Sequence, residues 1–137
     1  MRDGSRLDLF GVVAIGGALG SLARYGLSEV IPRSVGEFPW ATFITNIIGC
    51  GAIGVLMGYI LQSNQTHRYV RPFIGVGVLG GFTTFSTYAL ETWQLIVENA
   101  LMSAGAYVLS NIVCGLVAVQ FGLLIVRLVA RDNRRGE

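Results

Sequence analysis

Two stretches of this chain, residues 38–66 and 99–126, contain no charged side chain. Each exceeds the roughly 20 residues a helix needs to cross the hydrocarbon of a bilayer at about 1.5 Å per residue. In that solvent every backbone N–H and C=O must be satisfied inside the protein, which leaves helices or a closed barrel. Unbroken apolar runs of this length, without alternation, select helices. Composition agrees, with 53% hydrophobic and 13% charged residues against about 25% charged in a soluble domain. The sequence reads as an all-α integral membrane protein forming one domain over residues 1–137.

Two further crossings are less plain. Only residues 9–23 of the first are charge-free, too short alone, so the helix is predicted to continue through Arg24 to Val30. The third runs from Pro72, suited to a first helical turn, to about Val97, with Glu91 inside it. Gly75, Gly77, Gly80 and Gly81 weaken its first half, and Thr83 is placed to cap a fresh helix. The expected spans are therefore 8–30, 39–62, 72–97 and 100–127, the third broken near Gly80–Thr84. The connections, Pro32 to Pro39, Ser63 to Arg71 and Glu98–Asn99, are short. Small residues recur at spacing four, as in Gly16/Gly20, Gly17/Ser21, Cys50/Gly54, Gly54/Gly58 and Gly77/Gly81, which suits close helix approach in lipid. Four helices of this size scarcely enclose a pathway, so a homo-oligomer is expected.

Other classes are poorly served. The net charge of +2 is too small to suggest a nucleic-acid partner, and the arginines gather at the span flanks. Cys50 and Cys114 each lie deep in an apolar stretch and read as buried thiols, and with His67 alone they offer no metal spacing. The residues around Arg2, Asp3, Arg6 and Asp8 lack the cleavage pattern of a signal peptide. No catalytic motif is present, so the chain is not expected to be an enzyme.

The polar residues at membrane depth are where function is sought. Gly80-Gly81-Phe82-Thr83-Thr84-Phe85-Ser86-Thr87-Tyr88 puts hydroxyls and ring edges together, a surface able to replace the water around a small ion. Phe82, Phe85 and Tyr88, spaced by three, are expected to lie near one another along a helix, and their positive ring edges favour an anion. Arg24 either snorkels to the headgroups or stands at the mouth of an anion pathway. Asn46, with Thr42 and Thr45 one turn before it, either ties helices together or donates to a passing anion. Ser110 and Asn111 follow Tyr107 in the last span as packing groups or as part of the same track of donors. Glu91, the one acid well inside a span, is a structural group or a proton or cation site.

With those residues in place the chain resembles the Fluc fluoride-channel family, also called CrcB. The resemblance rests on Gly16-Gly17-x-x-Gly20-x-x-x-Arg24-Tyr25, on Pro39-Trp40-x-Thr42-x-x-x-Asn46-x-x-Gly49 and on Gly80 to Tyr88. It implies an antiparallel, dual-topology dimer of four-helix subunits in the inner membrane, with fluoride pores at the interface. By match to the motif, the pore aromatics fall at Phe85 and Tyr88 and the pore amide at Asn46. Thr42, Thr84, Ser86, Thr87 and the Ser110–Asn111 pair join the polar track, with Arg24 at the vestibule. A structural Na⁺ at the dimer centre is implied through the backbone carbonyls of Gly80 and Thr83. Two departures from the family pattern stand out: Tyr88 where Phe is usual, and Asn111 where a hydroxyl is expected. The implied activity is passive fluoride export. The alternative from a different class is a small proton-coupled multidrug exporter using Glu91.

Charge placement conflicts with the implied architecture. Arg2, Arg6, Arg68, Arg71, Arg127, Arg131, Arg134 and Arg135 fall on one side of a four-span arrangement, and Arg33, with Arg24 at the helix end, on the other. That bias orients both termini to the cytoplasm, whereas an antiparallel dimer inserts half its subunits the opposite way. Either a dual-topology homodimer tolerates the bias, or an oppositely oriented paralogue serves as partner.

Overall fold

The computed structural model describes residues 4–62 and 67–133, with side chains over 7–62 and 67–131. Arg2, Arg134, Arg135 and the side chain of Arg6 lie outside the described residues, as do residues 63–66 of the Ser63–Arg71 connection. Every regular element among the described residues is a helix: α1 (Gly4–Val30), α2 (Trp40–Gln62), a wide-turned π-helix π1 (Arg71–Leu79), α3 (Gly80–Phe82), α4 (Phe85–Val97) and α5 (Leu101–Asn133). π1, α3 and α4 together make the third crossing, and all four crossings are long and apolar enough to span a bilayer. The last helix continues past the apolar run through Arg127 and Arg131.

Glycine sets how these helices meet. In lipid there is little hydrophobic drive for helices to associate, so close backbone contact carries the packing. A Cβ on Gly16 would collide with the Phe73 carbonyl, one on Gly20 with the Val78 carbonyl, and one on Gly81 with Gly17. The register, 16 with 73 and 20 with 78, makes α1 parallel to the first half of the third crossing. On the other side Gly54 abuts Val119, Gly58 faces Val126, and Gly122 sits on Gly51 and Val55. α2 and α5 are therefore parallel as well. Two parallel pairs, joined by short connections, place the start of α1 and the end of α5 at one end of the bundle. Arg68, Arg71, Arg127 and Arg131 lie at that end, and Arg33 at the other.

The faces left outward are apolar, with Phe10, Leu19 and Leu22 on α1 and Leu109, Leu116 and Phe121 on α5 more than half exposed. The interior is small: fully buried Leu95 and Tyr107 pack with Ala104 against Phe38, Phe43, Tyr88 and Ala100. The α4–α5 turn serves this cluster. Asn99 is left-handed, with φ 57°; its N–H bonds the Ile96 carbonyl at 3.1 Å and that of Ala100 the Leu95 carbonyl at 2.9 Å. This pairing closes the C-terminus of α4 with Asn in place of the usual glycine.

Gly105 and Gly122, on the same helix, give a matched test, because a Cβ on Gly105 meets nothing within 4 Å. Gly122→Ala is expected to destabilise the purified protein by about 1–3 kcal/mol through overpacking. Gly105→Ala should leave the melting temperature in detergent unchanged or raised. Equal melting temperatures for the two variants would contradict the glycine-contact account.

Candidate functional site

The third crossing breaks at Thr83 and Thr84, not at the glycines. Gly80 is helical (φ −65°, ψ −34°), whereas Thr83 (φ −75°, ψ 158°) and Thr84 (φ −149°, ψ 126°) are extended. The expected cap is likewise displaced by one residue. Thr84 Oγ1 accepts the Thr87 N–H at 3.1 Å and starts α4. Thr83 closes the preceding turn instead, its N–H and its Oγ1 both donating to the Leu79 carbonyl at 2.9 and 2.8 Å. The methyl group of Thr83 fills the space that Gly49 leaves by having no side chain, which holds this residue against α2.

Asn46 holds the break. Its Nδ2 donates to the Thr84 carbonyl at 3.2 Å, and its Oδ1 accepts the Thr84 N–H at 3.0 Å. A side-chain amide thus replaces the two helical partners that an extended residue loses, each costly to leave unpaired at this depth. Nδ2 carries two protons, and one is without a partner among the described residues. Because Thr84 N–H turns to Asn46, it does not close a turn onto Gly80. The carbonyls of Gly80 and Thr83 accept no hydrogen bond from the described residues.

Two cavities flank the start of α4. The first, about 350 Å³, opens toward the Arg33 end and is lined by Ser21, Arg24, Arg33, Thr42, Thr87 and Glu91, with Tyr25 and Ser28 beside them. A chain of hydroxyls feeds it: Thr84 Oγ1 donates to Thr87 Oγ1 at 3.0 Å and lies 3.3 Å from Ser86 Oγ. Arg24 Nη1 reaches Thr87 Oγ1 at 3.5 Å, while its buried Nε has no partner among the described residues. Glu91 accepts from Thr42 at 3.0 Å and from the Tyr107 hydroxyl at 2.7 Å.

The second cavity, about 420 Å³, lies on the flank of the helices, lined by Asn46, Cys50, Thr83, Thr84, Phe85, Tyr88 and Asn111. Phe85 is 80% exposed there. Its ring centroid is 5.8 Å from that of Tyr88, which in turn lies 5.2 Å from Tyr107. The expected three-ring stripe is thereby reduced to two. Phe82 precedes the break and sits beside Gly20 and Gly49, so it does not share a helix with Phe85.

The last span contributes unevenly. Ser110 Oγ and Asn111 Nδ2 both donate to the Tyr107 carbonyl, at 3.2 and 2.8 Å. Asn111 lines the second cavity and leaves its buried Oδ1 unpartnered among the described residues; Ser110 lines neither cavity. Sequence reasoning used Arg33 only for orientation and Tyr107 only as a landmark. Arg33 is fixed in the first cavity by Glu98, at 3.3 Å, and by Gln94, at 3.1 Å. Its position as the lone arginine beyond the first helix on its side was the available signal.

Four membrane-spanning helices, one interrupted at mid-membrane beside polar cavities, define a multi-pass transport protein of the ion-pathway kind. Residues 11–123 match the family described as "CrcB-like protein, Camphor Resistance (CrcB)". The chain is 45% identical over 123 residues to "Fluoride-specific ion channel FluC 2" of Nocardia farcinica, covering 90% of this chain and 88% of the relative. It is 45% identical over 120 residues to "Fluoride-specific ion channel FluC 1" of Streptomyces coelicolor, covering 88% and 78%. A relative from Flavobacterium psychrophilum, "Fluoride-specific ion channel FluC", is 40% identical over 116 residues, covering 84% and 94%. The chain belongs to the CrcB/FluC fluoride-channel family. The exporter alternative finds no support among these relatives, and both Glu91 oxygens are engaged inside the protein.

Proposed function

We infer that this protein is a fluoride-specific channel of the inner membrane that lets fluoride leave the cell passively and so relieves its toxicity. What carries the reading is similarity to fluoride channels along nearly the whole chain, joined to a mid-membrane break surrounded by hydroxyl, amide and aromatic groups. Fluoride is compact and strongly hydrated. A path for it must return hydrogen bonds at each step without holding the ion too tightly to release it.

The donors suit that task in sequence. Arg24, with Arg33 behind it, raises the local anion concentration at the first cavity. Thr42, Thr84, Ser86 and Thr87 supply hydroxyls that reorient as the ion passes. Asn46 offers its second amide proton while the first anchors Thr84. Phe85 and Tyr88 present ring edges, which carry partial positive charge, and Asn111 takes the place of a hydroxyl on the last span, with Ser110 as its neighbour.

The second cavity is open to the side, and the unpaired amide groups of Asn46 and Asn111 that line it are poorly suited to lipid. A second copy in antiparallel arrangement would cover it and complete two pores. The free carbonyls of Gly80 and Thr83 have the chemistry of a monovalent-cation site, acceptors without donors. Paired with those of the second copy, they would hold a structural Na⁺ at the dimer centre.

In proteoliposomes read with a fluoride electrode, Phe85→Ile and Asn46→Asp are expected to cut fluoride efflux by at least tenfold while the protein elutes as a folded dimer. Tyr88→Phe should keep substantial flux and Tyr88→Ala lose most of it. Wild-type flux in both Phe85→Ile and Asn46→Asp would remove these residues from the path.

Orientation is tested at Val35, 84% exposed in the α1–α2 connection. Val35→Cys in native membranes is expected to react with an impermeant maleimide from each face in comparable amounts. Reaction from one face only would replace the homodimer by a pairing with an oppositely inserted paralogue.

A further inference from the structure

At the arginine-rich end, α2 and α5 line a cleft of about 460 Å³ that shares no residue with the two cavities beside α4. Its floor is Gly58, where the absent side chain lets Val126 of α5 pack directly on α2. Its walls are Leu61, Leu124 and Leu128, which are 77%, 49% and 53% exposed. Its rim carries Gln62, Arg127 and Arg131. We propose that this cleft binds an anionic phospholipid, the phosphodiester between Arg127 and Arg131 and an acyl chain along the leucine wall.

Three observations favour that occupant. Arg127 and Arg131 are four residues apart, so their side chains leave one face of α5 and repel each other. A phosphodiester between them removes that repulsion and accepts from both forked guanidinium groups. Neither guanidinium donates a hydrogen bond to a described residue, nor lies in an ion pair with a described carboxylate. The depth also fits. Arg127 directly follows the charge-free run 99–126, and α2 ends at Gln62, so the rim lies at the boundary of hydrocarbon and headgroups. Simple snorkelling accounts for arginine at that level, but not for a concave, leucine-walled cleft beneath it. Basic pockets between spanning helices suit lipid headgroups of this charge.

Native mass spectrometry of the purified full-length protein tests the inference, with phosphatidylglycerol and phosphatidylcholine of identical acyl chains as probes. The wild type is expected to retain phosphatidylglycerol at least tenfold better than phosphatidylcholine. The double variant Arg127→Gln/Arg131→Gln should lose that preference, and Arg68→Gln/Arg71→Gln, a charge-matched change at the same end, should keep it within twofold. Equal retention of the two lipids by the wild type overturns the proposal, and this comparison needs no variant to fold. Unchanged preference in the Arg127/Arg131 double variant also overturns it. Displacement of phosphatidylglycerol by an equal concentration of inorganic phosphate would assign the arginines to free anions instead.

Discussion

The two hydrogen bonds between Asn46 and the backbone of Thr84 are what the remaining architecture rests on. A helix that stops inside the membrane strands donors and acceptors where no bulk water receives them. One amide on α2, at 3.0 and 3.2 Å, takes both backbone groups of Thr84. With Thr84 held extended, its hydroxyl is free to begin α4, and Ser86, Thr87 and Arg24 are drawn into contact around it. With Thr84 N–H turned to Asn46 and Thr87 N–H to Thr84 Oγ1, the Gly80 and Thr83 carbonyls are left without donors among the described residues. Satisfying one side of the break with a side chain keeps the other side available.

Glycine makes that arrangement possible without itself forming the break. Gly16, Gly17 and Gly20 let α1 lie directly on π1 and α3, and Gly49 receives the methyl group of Thr83. Gly54, Gly58 and Gly122 bring α5 against α2 in the same way. The two parallel pairs leave a polar seam between them, where Glu91 joins Thr42 of α2 to Tyr107 of α5. Glu91 is a cross-brace between the pairs, which explains an acid at this depth without a cargo cation.

Much of this was legible in the sequence because membrane solvent restricts the chain so severely. Charge-free length gave α2 and α5, and the polar cluster after Gly81 marked the interruption. The exact position was not legible, since glycine has two uses, conformational freedom and close approach. Here Gly80 and Gly81 stay helical and serve the second, so the cap moved from Thr83 to Thr84. Spacing by three suggested one stripe of Phe82, Phe85 and Tyr88, a pattern that holds only along a continuous helix. Asn46 was recognised as a deep amide with two readings; the pairing with Thr84, and the proton left over, depend on a tertiary contact that sequence spacing does not encode. Arg33 and the brace on Glu91 were missed for the same reason.

The central claim, that this break lines a path selective for fluoride, is tested most directly by anion release from liposomes holding the purified wild-type protein. Vesicles loaded with fluoride or with chloride, with potassium and its ionophore balancing charge, are followed by ion-selective electrodes. The account predicts fast release of fluoride with chloride retained at the rate of protein-free vesicles. Fluoride held as firmly as in protein-free vesicles by a folded, incorporated protein, or chloride leaving as fast as fluoride, would contradict it.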